Sequence, residues 1–168
     1  MKILLLDGNS LTYRAFFALP TDMATASGQV TNAVFGFTSM LAYMVKDQQP
    51  DGIAVAFDRP EPTFRHQADP TYEAQREAAP EILRQQMGLV REVLAALNIA
   101  TLELAGWEAD DIIATLTEQA VSEGHEVVIV TGDRDSYQLV RDPQVKVLYN
   151  KRGVSDYALY DEAGIVDK

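Results

Sequence analysis

Five short aliphatic runs, separated by stretches of helical periodicity, constrain this chain more than any other feature. Leu4 to Leu6, Ile53 to Phe57, Ala100 to Leu104, Val127 to Val130 and Val145 to Leu148 are mostly β-branched or aliphatic and are bounded by turn residues, as strands buried on both faces are. Between them Leu83, Met87, Val90, Leu94 and Leu97 recur at helical spacing, as do Ala109, Ile113, Leu116 and Ala120; Val34 to Val45 is a further, mostly apolar helical stretch. This β-α-β alternation predicts the α/β class: an open, twisted, mostly parallel sheet of Rossmann-like type with helices on both faces. Ligands in such sheets bind at the carboxyl ends of the strands, where strand order reverses.

The chain has 168 residues, 47% of them hydrophobic, enough for one compact domain over 1–168 with a core that needs no staples. No repeat, low-complexity tract or interdomain linker interrupts it. Arg59 to Pro80 breaks the rhythm with Pro60, Pro62, Pro70 and Pro80, mixed charges and little apolar period, and reads as a long mobile loop. The last stretch, Asp156 to Lys168, shows no convincing element, which suggests a piece of a longer protein.

Composition narrows the chemistry. There is no cysteine and there are only two histidines, so any metal is held mainly by oxygen. The apolar run at Ile3 to Leu6 meets Asp7 at once and is too short for a signal peptide or a membrane span, so a soluble, cytoplasmic protein without membrane association is expected, as a monomer. A formal charge of −11 argues against gripping nucleic acid with a broad basic face. Affinity for such a ligand must come from a local site, from metal ions or from another domain.

The acids supply that local site. Asp7 follows the first run, Asp58 the second, Glu108, Asp110 and Asp111 the third after a short turn, and Asp133 with Asp135 the fourth. In a parallel sheet those ends share one edge, so the seven side chains are expected to converge in a crevice. Uncompensated anions at close range repel, and a divalent cation among them is the economical remedy. Hard oxygen donors suit Mg²⁺ or Mn²⁺. Two such ions ~4 Å apart activate a water and stabilise the departing oxygen of an in-line phosphoryl displacement, with no protein nucleophile required. The absence of a G-x-S-x-G elbow, of cysteine and of a P-loop agrees with that.

Plainer readings exist for each acid taken alone. Asp7 can open the turn Gly8-Asn9-Ser10 before a helix beginning near Leu11, and Asp58 can be a solvated strand end. Glu108, Asp110 and Asp111 sit where acids complement a helix dipole, and Asp133 or Asp135 can cap a turn. It is their occurrence together, at the end of each of the first four strands, that favours a metal site.

Six stretches then become recognisable: Leu6-Asp7-Gly8-Asn9-Ser10, Tyr13-Arg14-Ala15-Phe16, Phe57-Asp58, Thr63-Phe64-Arg65, Gly106-Trp107-Glu108-Ala109-Asp110-Asp111 and Thr131-Gly132-Asp133-Arg134-Asp135. In this order, over nearly the whole chain, they resemble the five-prime nuclease domains of bacterial DNA polymerase I, a PIN-like, flap-endonuclease family. The resemblance implies a five-prime to three-prime exonuclease and flap endonuclease that hydrolyses phosphodiester bonds in DNA repair and primer removal. It implies two Mg²⁺ or Mn²⁺ ions held by Asp7, Asp58, Glu108, Asp110, Asp111, Asp133 and Asp135. It also implies that Arg59 to Pro80 forms an arch for single-stranded DNA, with Arg65, Arg76 and Arg14 as phosphate contacts. Expected partners are DNA with a five-prime flap or single-stranded end, RNA-primed DNA, and polymerase domains in the same native chain.

Two departures stand out. Where the family's arch reads Tyr-Lys-x-x-Arg, this chain has Tyr72-Glu73-Ala74-Gln75-Arg76, and a carboxylate at Glu73 repels a phosphodiester, so catalysis is expected to be weakened. The family also continues into a helix-hairpin-helix region that grips duplex DNA, and this chain stops before it. From Arg59 to Arg84 four arginines and a histidine face five acids, so that segment offers little charge attraction.

Two rival readings compete. A haloacid-dehalogenase-type phosphatase also places an aspartate after its first strand but needs a second acid two residues on, where Asn9 stands. A non-catalytic docking or structural module keeping the nuclease fold is the other. Tyr13, Phe16, Phe17 and Phe35, at helical spacing, are expected in the core rather than as base-stacking surfaces.

Overall fold

The computed structural model describes residues 1–59 and 81–166. Element order is β1 (Lys2–Asp7), α1 (Gly8–Ala18), α2 (Asn32–Gln48), β2 (Gly52–Ala56), α3 (Glu81–Ala96), β3 (Ala100–Leu102), α4 (Ala109–Ser122), β4 (Glu126–Thr131), a 3₁₀ turn (Arg134–Leu139), β5 (Val145–Arg152), β6 (Asp156–Tyr160) and α5 (Glu162–Val166). The six strands lie in the order β3-β2-β1-β4-β5-β6, with every pair parallel except β5 and β6. The α/β sheet read from the sequence is therefore observed.

Strand periodicity divides the core into two. Leu4, Leu6, Val55, Val128 and Val130 face α1, α2 and α3 and pack with Leu11, Ala15, Phe37, Met40, Met44, Val90 and Leu94. Leu5, Val127, Ile129, Val145 and Val147 face the other way, onto Ala109, Ile113 and Ala120 of α4. Successive side chains of one strand thus enter opposite layers, which is why these strands read as continuous apolar runs. Among the described residues no helix is long and apolar enough to cross a membrane.

Several expectations change. Asp156 to Lys168 is not featureless: β6 forms an antiparallel hairpin with β5, and α5 follows it. Its signal is weak because an edge strand has one poorly covered side, and Leu159 stays 48% exposed. The third strand ends at Leu102 rather than Leu104, and Leu97 lies past the end of α3; Leu104 and Leu97 are both more than half exposed. The first helix begins at Gly8 instead of near Leu11, with Asp7 as its cap. Three aromatics expected in the core are at the surface: Tyr13, Phe17 and Phe35 are each at least half exposed, and only Phe16 is buried. The buried stripe of α1 is Gly8, Leu11, Thr12, Ala15 and Phe16, which turns Tyr13 and Phe17 outward, ring to ring at 4.6 Å.

Gly8 shows how tightly α1 is set against the sheet. A Cβ there would stand 2.4 Å from Cε1 of Phe57, a ring that is fully buried. Gly8→Ala is expected to destabilise the chain by about 1–3 kcal/mol through overpacking. Thermal melting would read this as a fall of very roughly 2–12 °C, and an unchanged melting temperature would show that the ring can yield.

Candidate metal centre

The switch point of the sheet lies between β1 and β4, whose neighbours run off in opposite directions, and there a crevice of about 890 Å³ opens. Six of the seven expected acids line it: Asp7, Asp58, Glu108, Asp110, Asp133 and Asp135. They are brought together from four strand ends, and each is held by neighbouring backbone or side chains.

Asp7 leaves β1 and caps α1, with Oδ1 accepting the Ser10 N–H at 3.2 Å and Oδ2 accepting the Thr131 hydroxyl at 3.4 Å. The capping and crevice readings of this residue therefore hold at once. Asp58 is gripped on three sides. Asn9 Oδ1 accepts its N–H at 2.8 Å, Arg91 Nη2 donates to its carbonyl at 3.4 Å, and its own Oδ1 accepts the Ala109 N–H at 2.6 Å. That last contact puts a carboxylate on the first N–H of α4, where the helix dipole favours an anion. Asn9, which lacks the acid a phosphatase needs, serves instead to seat Asp58.

Asp133 opens the 3₁₀ turn and accepts the Asp135 N–H at 2.9 Å, while its own N–H donates to Thr131 Oγ1 at 2.9 Å. The Gly132 N–H donates to Ser10 Oγ at 2.8 Å, so β1 and β4 are stitched together at their carboxyl ends. Ser10 and Thr131 thus position the acids without being acids themselves. The only signal for them is their position beside the acids in the D-G-N-S and T-G-D motifs.

Carboxylate oxygens from Asp110, Asp133 and Asp135 all lie within 4.8 Å of one another, close enough to hold one metal ion. Asp110 Oδ1 is buried and has no hydrogen-bond partner among the described residues. Electrostatics agree with the crowding. Burial, then the neighbouring charge of Asp110, pushes the Asp7 carboxyl up from 3.8 to about 8, although the Ser10 N–H favours its ionised form. Burial, then Asp133 and Asp58, pushes Asp110 up to about 6. An oxygen-only donor set, mutually repelling and partly desolvated, fits a hard divalent cation.

Asp111 is placed differently. Its Oδ2 accepts the Glu108 N–H at 3.1 Å, closing the first turn of α4, and it does not line the crevice. Arg14 lines the crevice as well, with its guanidinium held by three oxygens. Its Nη1 donates to the Lys151 carbonyl at 3.3 Å, and its Nη2 to the Gly132 carbonyl at 3.0 Å and the Tyr149 hydroxyl at 3.2 Å. A Cβ on Gly132 would come within 2.8 Å of Arg14 Nε, so glycine is what lets the guanidinium lie across this turn. Arg14 thus braces the segment that carries Asp133. Arg65, Arg76 and Glu73, with the expected arch, lie outside the described residues.

Comparison with known proteins identifies the family and the fold. The family model for the 5'-3' exonuclease, N-terminal resolvase-like domain matches residues 2–168. The DNA polymerase I of Mycobacterium tuberculosis (strain H37Rv) is 48% identical over 167 residues, covering 99% of this chain and 18% of that protein. The DNA polymerase I of Geobacillus stearothermophilus is 45% identical over 167 residues, covering 99% of this chain and 19% of that protein. The chain thus spans about a fifth of the length of the curated relatives it matches. Among solved structures, the T5 D15 protein co-crystallised with metal ions superposes with a TM-score of 0.72 at 18% identity, covering 99% of this chain and 60% of that one. A variant of the bacteriophage T5 flap endonuclease, in a pseudo-enzyme-product complex with DNA and metal ions, gives 0.69 at 18% identity, covering 99% and 60%.

Proposed function

Because the chain belongs to the family of 5'-3' exonuclease N-terminal, resolvase-like domains, we propose that its crevice is the active site of a divalent-metal-dependent five-prime nuclease. The observation that carries this reading is the meeting of Asp110, Asp133 and Asp135 oxygens within 4.8 Å at the switch point, with one buried Asp110 oxygen lacking a partner among the described residues. The substrate is DNA with a five-prime flap or single-stranded end, including RNA-primed DNA. The polymerase I relatives and the T5 flap endonuclease bound to DNA and metal ions support that choice. Polymerase domains in the same protein, a monomeric state and a cytoplasmic setting belong to this reading too.

Asp110, Asp133 and Asp135 would hold one Mg²⁺ or Mn²⁺, and Asp7, Asp58 and Glu108, which line the same crevice, would serve a second. When bound, such ions supply a water activated near neutral pH and neutralise charge on the departing oxygen. The protein's own part is positional. Asn9, the Ala109 N–H and Arg91 fix Asp58; Ser10 and Thr131 fix Asp7 and the Gly132-Asp133 turn; Arg14 braces that turn through the Gly132 carbonyl. Asp111 completes the seven by holding Glu108 through the backbone. The Ser10 hydroxyl is occupied by the Gly132 N–H, in keeping with chemistry that uses no protein nucleophile.

A five-prime-flap duplex offered to the chain with Mn²⁺ is expected to be cut to a product bearing a five-prime phosphate, and EDTA is expected to stop the reaction. Direct titration would show Mn²⁺ bound well above the level of surface carboxylates. A chain that takes up no Mn²⁺ and leaves the flap intact would mark the fold as a docking module.

A further inference from the structure

The same crevice is lined by Arg152 and Gly153, at the turn between β5 and β6. Among the described residues Arg152 is the most available guanidinium near the acids. Arg59 and Arg91 face Glu103, Arg84 faces Glu81 and Arg141 faces Glu118. Arg14 is spent on three oxygens, and Arg134 lies over the Tyr149 ring, 5.9 Å from its centroid. Arg152 differs from all of these. Its Nε donates to Asp156 Oδ2 at 3.2 Å, while neither Nη nitrogen has a partner among the described residues and the side chain is 89% exposed.

That geometry leaves the outer edge of the guanidinium, with its fork of N–H donors, open to a ligand. Asp156 braces the group through Nε, and an exposed ion pair of this kind costs little to rearrange. The turn itself is fixed: Gly153 has a φ of +62° and its carbonyl accepts Asn150 Nδ2 at 3.1 Å, while Arg14 holds the Lys151 carbonyl. A planar cation on a rigid turn, in a crevice otherwise dominated by carboxylates, suits a phosphodiester oxygen pair. With a net charge of −11, the chain needs such a local contact to hold a polyanion.

We infer that Arg152 binds a backbone phosphate of the nucleic-acid strand in the crevice, beside the phosphate that meets the acids. This rests on the nuclease reading for its ligand, but it is tested by binding and not by turnover. The probe is a fluorescent single-stranded oligodeoxynucleotide in Ca²⁺ at low salt. Arg152→Gln is expected to weaken binding by about 3- to 10-fold and to lower the slope of log K against log salt by about 0.7, the loss of one phosphate contact. Lys46→Gln removes the same charge from the last turn of α2, at the amino-terminal edge of the sheet, and is expected to leave both quantities unchanged. Equal binding by wild type and Arg152→Gln overturns the inference, as does equal weakening by Lys46→Gln or failure of the wild-type chain to hold the oligonucleotide. A chain that binds in this way but never cleaves with Mn²⁺ sinks the nuclease proposal and leaves this one standing.

Discussion

Replacing Asp110 by Asn is expected to cut Mg²⁺-dependent cleavage by at least about 100-fold, since even residues behind a metal ligand are worth ~10- to 100-fold. The same change is expected to raise the melting temperature of the metal-free chain. Asp110 is crowded: it shares an ion-sized space with Asp133 and Asp135, and one of its oxygens is buried without a partner among the described residues. Its carboxyl, pushed up to about 6 by burial and by those neighbours, is held ionised at neutral pH against that push. Removing the charge should recover about 2 kcal/mol, or roughly 4–8 °C for a chain of this size. Single-turnover cleavage and thermal melting in EDTA check the two halves together. Lost activity with a lower melting temperature would mean that Asp110 is structural; retained activity would remove it from the metal centre.

The second large effect is on pH. Asp7 rises from 3.8 to about 8 and Asp110 to about 6, so in both cases the folded chain binds protons more tightly than the unfolded chain. Stability from that preference is fully present below about pH 4 and is lost as pH climbs through 6 and then 8. In EDTA the melting temperature should therefore fall between pH 5 and pH 8. Saturating Mg²⁺ should flatten the fall, because the ion replaces the protons, and metal uptake should release protons and tighten as pH rises. Asp7→Asn keeps an acceptor for the Ser10 N–H while removing the charge, and should weaken the pH dependence in EDTA. A metal-free melting curve that rises steadily across this range would contradict the electrostatic account of the crevice.

Arg14 stands beside a motif and is expected from it to touch phosphate; it lines the crevice, and its guanidinium also ties the end of β4 to β5. Arg152 carries no such signal, because nothing in Asn150-Lys151-Arg152-Gly153 says that β5 is eight residues long and ends at the crevice. Charge and motif mark which residues have chemistry to offer. Which of them is already occupied by a carbonyl more than a hundred residues away is a matter of packing.

From the sequence alone came the alternation of elements, the apolar faces and the acids behind the first four strands. Each depends on a local period or on the direction of a strand, and parallel strands deliver their carboxyl ends to one edge whatever their order. Tertiary structure alone decided the strand order, the antiparallel β6, the outward turn of Tyr13 and Phe17, and the bond that keeps Asp111 on the Glu108 backbone. Those outcomes depend on which surfaces cover one another and on hydrogen bonds between distant segments, and no pattern within a short window records either.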